Sequence, residues 1–224
     1  MTFSLSARCP DTGMFGIAIT SSSPAVAARC AWARAGVGVV ATQNVTDPTL
    51  GNRGLDLMEK GASAAQALDV LVSSAPFIEY RQLAVIDAAG GTAVFCGAKA
   101  LGIYNTAQGL NAVAAGNLLA HDGVPAALVK AFEASRGHLA ARLLETMDAG
   151  LAAGGEAGPI HSAGLLVVDK HSWPVVDLRV DWADEDPLGQ LRKVWDIYAP
   201  QLGAYVSRAL DPREAPSYGV PGDL

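Results

Sequence analysis

A chain of 224 residues that is half hydrophobic, only 6% aromatic and rich in small residues has the composition of compact packed layers, which excludes a disordered chain. Its net charge of −6 excludes nucleic acid and anionic membrane as default partners, because an acidic surface offers them no cations. The three cysteines, Cys9, Cys30 and Cys96, are odd in number and lack CxxC spacing, which excludes a disulfide framework and a structural zinc site and implies a reducing cytoplasm.

The first stretch, 2–20, reads as a tight β-hairpin. Phe3, Leu5 and Ala7 alternate with Thr2, Ser4 and Ser6, the run Pro10-Asp11-Thr12-Gly13 supplies turn chemistry, and Phe15, Ile17 and Ile19 alternate on the return. Ser21-Ser22-Ser23-Pro24 breaks the second strand, and 25–34 is a short Ala/Arg segment, helical turn or irregular connection. A buried third strand is expected at 36–42, ending beside Gln43-Asn44. Its glycines match a dinucleotide fingerprint as letters, but they lie within the strand and no helix begins after Ala41, so no nucleotide cofactor is expected.

Two helices follow, one near 52–60 closed by Gly61 and a second capped by Ser63, with Ala64, Ala67, Leu68 and Leu71 on its apolar face. A hairpin of 83–87 with 92–97 turns at Ala88-Ala89-Gly90-Gly91, and 110–115 reads as a third strand of that group. After Gly116-Asn117 comes a helix pair, the first capped by Asp122 and the second spanning 138–151. A glycine-rich turn at 154–159 leads to strands 162–169 and 175–180. Asp186-Pro187 starts the last helix, which breaks before Pro200. Trp173, Trp182, Trp195 and Tyr198 are expected to cluster near it as core or a subunit contact. Residues 1–210 form one domain and 211–224 an extended tail suited to lying across a neighbouring subunit, which gives the expectation of a homo-oligomer. The amino terminus shows no signal-peptide pattern, and no apolar run approaches the ~20 residues of a membrane span.

Antiparallel hairpins separated by helix pairs fit an α+β, four-layer αββα sandwich of two antiparallel sheets, not alternating βαβ winding. Thr2 gives this order a chemical meaning. Trimming of Met1 before a small residue leaves a hydroxyl and a free α-amine on one residue at the open end of a strand, a known way to activate a weak oxygen nucleophile.

The opening TFSLSARCPDTGMFGIAITS, then SPAV, WARAGVGVVATQ, GNRGLDLM, RQLAVIDAAG, GNLL, AAGGEAG and DLRVDW with EDPL, resembles in order and over nearly the whole of 2–191 a family known as domain of unknown function 1028. That family is assigned to the N-terminal nucleophile (Ntn) hydrolases, whose fold the element order also resembles. The resemblance implies a cytoplasmic hydrolase that cleaves a small amide or peptide-like bond with Thr2 as nucleophile and uses no cofactor or metal. The candidate site comprises Thr2, Gln43 and Asn117 as catalytic groups, with Ser21, Ser22, Arg34, His161 and Ser162 around the substrate. Ser22 stands where the family often has Lys or Arg, and Arg34 is the cation offered in its place. The alternative is an inactive Ntn fold that binds ligand or assembles. His121, His138 and His171 lack metal-ligand spacing and are expected at the surface, and the acidic run Asp181, Asp184, Glu185 and Asp186 reads as a solvated turn with a helix cap.

Overall fold

The structure is a computed structural model and describes residues 1–219; residues 220–224 of the expected tail lie outside them. Its strands are β1 (Thr2–Arg8), β2 (Phe15–Ser21), β3 (Ala31–Arg34), β4 (Gly38–Asn44), β5 (Arg81–Asp87), β6 (Thr92–Cys96), β7 (Asn105–Gly109), β8 (Ala112–Asn117), β9 (Ser162–Val168) and β10 (Val176–Val180). The helices are α1 (Val26–Cys30), α2 (Thr49–Glu59), α3 (Ala64–Ser74), α4 (Val124–Ala134), α5 (Leu139–Ala152), α6 (Pro187–Tyr198) and α7 (Leu202–Leu210). The strands form two antiparallel sheets, one in the order β10-β9-β2-β1-β8-β7 and the other β3-β4-β5-β6.

Alternation along the strands divides the core. On β1, Phe3, Leu5 and Ala7 pack with Leu128 and Phe132 of α4, Leu143 and Met147 of α5, and Leu188, Leu191 and Trp195 of α6. On the second sheet, Val40, Leu83 and Val85 pack with Leu50 and Leu55 of α2 and Leu68 and Leu71 of α3. Side chains from the opposite faces meet in a third cluster, where Phe15, Ile17, Val113 and Val168 of the first sheet touch Val39, Ala41, Ala84 and Ile86 of the second. Full burial of side chains of this size stabilises by roughly 1.5–3 kcal/mol each relative to leaving them in water.

The opening hairpin pairs as expected, with Thr2 opposite Ser21 and Arg8 opposite Phe15. Ser63 caps α3 through a reciprocal box with Gln66, and Asp186 caps α6 by accepting from the Gly189 N–H at 2.9 Å, with Pro187 at the first helical position.

Several expectations are corrected. The 110–115 strand belongs to the other sheet: β8 pairs with β1 and with β7, an exposed polar strand without an apolar alternation to reveal it. Segment 25–34 divides into α1 and edge strand β3. Asp122 does not cap α4; Gly123 holds that position, and the Asp122 carbonyl accepts the Asn105 side chain at 2.9 Å. The tryptophans do not cluster: Trp195 is buried against His138, whereas Trp182 stacks on His161 and Trp173 on His171. Among the described residues, no helix is long and apolar enough to cross a membrane.

Candidate active site at the start of the first strand

Thr2 shares the face of Ser4 and Ser6, because β1 directs its odd residues to the helices and its even ones to the second sheet. Antiparallel register puts Asn117 opposite Thr2 on one side, Ser21 opposite it on the other, and Ser162 opposite Ser21 beyond. Four polar residues therefore form a row across β8, β1, β2 and β9, and directly opposed residues project to the same face.

The Thr2 hydroxyl donates to the Met1 carbonyl oxygen at 2.5 Å and lies 3.2 Å from the Ser21 hydroxyl oxygen, which also contacts that carbonyl. Thr2 is 6% exposed with Met1 in place. Met1 is half-buried, and its carbonyl occupies the Thr2 hydroxyl.

Behind Thr2 lies a buried amide network. Ser4 Oγ donates to Gln43 Oε1 at 2.7 Å, Gln43 Nε2 donates to Gln82 Oε1 at 2.9 Å, and Asn117 Nδ2 reaches the same Gln82 oxygen at 3.2 Å. Gln82 Nε2 in turn donates to the Gly116 carbonyl at 2.9 Å. The expected pair Gln43 and Asn117 is thus brought to the end of β1, but their amides bind Gln82 and hold the scaffold on which Thr2 sits. The sequence reading missed Gln82. The signal was a glutamine in frame with the buried alternation of Ala84 and Ile86.

His161 and Ser162 also reach this end, with their polar atoms engaged by backbone. Ser162 Oγ donates to the Ser23 carbonyl at 2.6 Å and clamps the turn into α1. The His161 ring stacks on Trp182 at 4.4 Å and bonds the Ala183 carbonyl through Nδ1 at 2.9 Å. Ser22 contributes a backbone N–H. Arg34 is not part of the site: it pairs with Gly38 at the opposite end of β4 and forms ion pairs with Asp56 and Glu59 of α2. The edge strand β3 runs away from Gln43, and the antiparallel return carries Arg34 with it.

The residue that sequence reasoning missed altogether is Glu156. Leu118, directly after Asn117, adopts φ 51, a left-handed conformation costly for a leucine. This bend lets Leu118 accept from the Ala157 N–H at 2.9 Å and pairs Leu119 with Glu156. Glu156 is consequently only 6% exposed; its Oε2 accepts the Ser22 N–H at 3.1 Å and its buried Oε1 has no partner. Burial pushes its pKa up to about 7, against the opposing pull of the chain's α-amine charge and the Ser22 N–H. A lone acid inside the small-residue turn GGEAG, with no helix start to serve, was the available signal. Among the described residues, no group of three or more His, Cys, Asp or Glu is arranged to hold a metal ion.

The model of the family described as "Family of unknown function (DUF1028)" matches residues 2–191. A solved structure of protein SPO2555 from Silicibacter pomeroyi, itself assigned to DUF1028, is 29% identical and superposes with a TM-score of 0.83, covering 88% of this chain and 89% of that one. Anbu (ancestral beta-subunit) from Yersinia bercovieri is 12% identical with a TM-score of 0.42, covering 91% of this chain and 97% of that one, a level of likeness from which nothing is carried over. No curated protein matches.

Proposed function

The chain belongs to the DUF1028 family, and on that premise we propose that it is an Ntn-type amide hydrolase, a four-layer αββα sandwich in which Thr2, freed of Met1, is the nucleophile. The carrying observation is the position of the Thr2 hydroxyl, at the open end of β1, 3.2 Å from the Ser21 hydroxyl and in contact with the Met1 carbonyl.

Loss of Met1 leaves a free α-amine on the Cα of Thr2, next to the Cβ that bears the nucleophilic oxygen. A free α-amine has a pKa of roughly 7.7–8.0, so a useful fraction is neutral near pH 7.5 and accepts the hydroxyl proton directly or through one water. Thr2 Oγ1 adds to the substrate carbonyl carbon, and the α-amine takes the proton. The C–N bond then breaks, the leaving amine receives that proton, and an ester on Thr2 remains. Water attacks the ester by the reverse proton path and releases the acid. Because Gln43 and Asn117 are held by Gln82, the oxyanion donor in this reading is the Ser21 hydroxyl, which already contacts a carbonyl oxygen at this position. One such donor contributes about 3–4 kcal/mol in measured hydrolases.

A second reading, a ligand-binding or assembly protein without chemistry, is favoured by one observation: with Met1 present the hydroxyl is covered. Two measurements decide. Intact mass of the purified full chain shows whether Met1 is lost, and a β-lactone acyl electrophile followed by peptide mapping shows whether Thr2 is acylated. Label on Thr2 supports the hydrolase; a processed chain that stays unlabelled overturns it.

A further inference from the structure

Met1 is held at the site in the way an acyl group would be. Its carbonyl oxygen touches two hydroxyls, those of Thr2 and Ser21. Its side chain lies against the turn after Glu156: a Cβ built on Gly158 would come within 2.8 Å of Met1 Cε and 3.3 Å of its sulfur, and would meet nothing else within 4 Å. Close by, Glu156 is buried with Oε1 unpartnered and its other oxygen on Ser22, the residue following Ser21. An acyl group on the Thr2 nitrogen and one on the Thr2 hydroxyl oxygen are related by a five-membered ring, because the two atoms are separated by two carbons. The space that accommodates Met1 is therefore the space that the acyl part of an acyl-enzyme would take.

We infer that the acyl subsite is built for an α-amino acid residue with its amine unblocked, so that the substrates are aminoacyl amides or the first residue of a peptide, with Glu156 receiving the substrate ammonium and Gly158 leaving room for an apolar side chain. This rests on Thr2 being the nucleophile.

Burial supports it from the energetic side. A carboxylate excluded from water with one oxygen idle is expensive unless a cation completes it. The positive charge acting on Glu156 in this structure is the Met1 α-amine; departure of Met1 exchanges it for the Thr2 α-amine, which must be neutral to accept a proton, so the charge is lost. A substrate ammonium restores it and leaves the Thr2 amine neutral as the proton acceptor. N-acetylation removes the charge and adds bulk, which costs a buried charge-assisted hydrogen bond, roughly tenfold or more in recognition.

The test uses the full-length chain with Met1 loss verified by mass. Cleavage of methionine, alanine and N-acetylmethionine p-nitroanilides is compared in wild type, Glu156→Gln and Gly158→Val, and binding of the boronic acid analogue of methionine, free and N-acetylated, is measured alongside. The expected result is a preference of about tenfold or more for the free amine in cleavage or in binding. That preference should collapse in Glu156→Gln, while Gly158→Val shifts the choice from methionine towards alanine. Equal handling of free and acetylated compounds, a preference that survives Glu156→Gln, or binding of neither boronate overturns the inference. Acylation of Thr2 by the β-lactone together with any of those outcomes leaves the nucleophile standing and removes only the substrate class; no acylation of Thr2 removes both.

Discussion

Where side chains of the two sheets meet, one end is polar and the other apolar. At the start of β1 hydrogen bonds link Thr2 to Ser21 and, separately, Ser4, Gln43, Gln82 and Asn117 to one another, whereas further along the same strands Phe15, Ile17, Val39, Ile86 and Val113 are packed against one another. Ser6 marks the border, its hydroxyl buried with no partner. The difference teaches that the two ends do different work. Apolar contact is non-directional and supplies the net free energy of association, while satisfied amide bonds add only about 1 kcal/mol each but fix positions tightly and are costly to break singly. The polar end can hold groups in reactive geometry because the apolar end keeps the sheets together.

The largest way to break this comparison is Thr2→Ala. Amide cleavage should fall by at least about 1,000-fold, as expected when a nucleophile is removed, with unfolding free energy changed by less than about 1 kcal/mol; rate assays and urea melts read the two. Next, Ile86→Ala should lower unfolding free energy by about 2–5 kcal/mol through a cavity at the apolar end, leaving labelling of Thr2 intact. Gln82→Leu strands the Gln43 and Asn117 amides, so a loss of about 2–3 kcal/mol is expected together with impaired labelling of Thr2. Equal effects of these two changes on labelling would erase the distinction between the ends.

The acid beside the site sharpens the comparison by pH. The native Glu156 carboxyl, with pKa near 7 against an ordinary 4.5, holds its proton more tightly than the unfolded chain does. Its burial is therefore best tolerated below about 4.5, and stability falls as pH rises from there through about 7. Glu156→Gln should flatten that slope and raise stability at pH 8 by about 1–3 kcal/mol, measured as the urea midpoint across pH. The smallest effect is expected at Arg34→Ala, which breaks partly exposed ion pairs far from the site. It should move stability by no more than about 1 kcal/mol and leave Thr2 labelling unchanged.

Much of the fold was legible because it is local. Alternation gave β1 and β2, Ser63 and Asp186 gave their helix starts, and turn residues gave the β5–β6 hairpin. The sheet to which β8 belongs was not legible, since nothing near Ala112 says that its partner is Thr2–Arg8, over a hundred residues earlier. Arg34, offered as the cation in place of the family's basic residue, failed for the related reason that residue type says nothing about which end of an antiparallel strand a side chain reaches.

By itself the sequence determined the chemistry on offer at the start of β1: a threonine that follows Met1, on a strand whose alternation decides which face it takes. Tertiary structure alone decided what surrounds it. Ser21 comes with the opening hairpin, but Asn117, Gln82 and Glu156 arrive from three distant segments through strand register and through the bend at Leu118, both set by pairing between residues remote in sequence, and such pairing leaves no local trace.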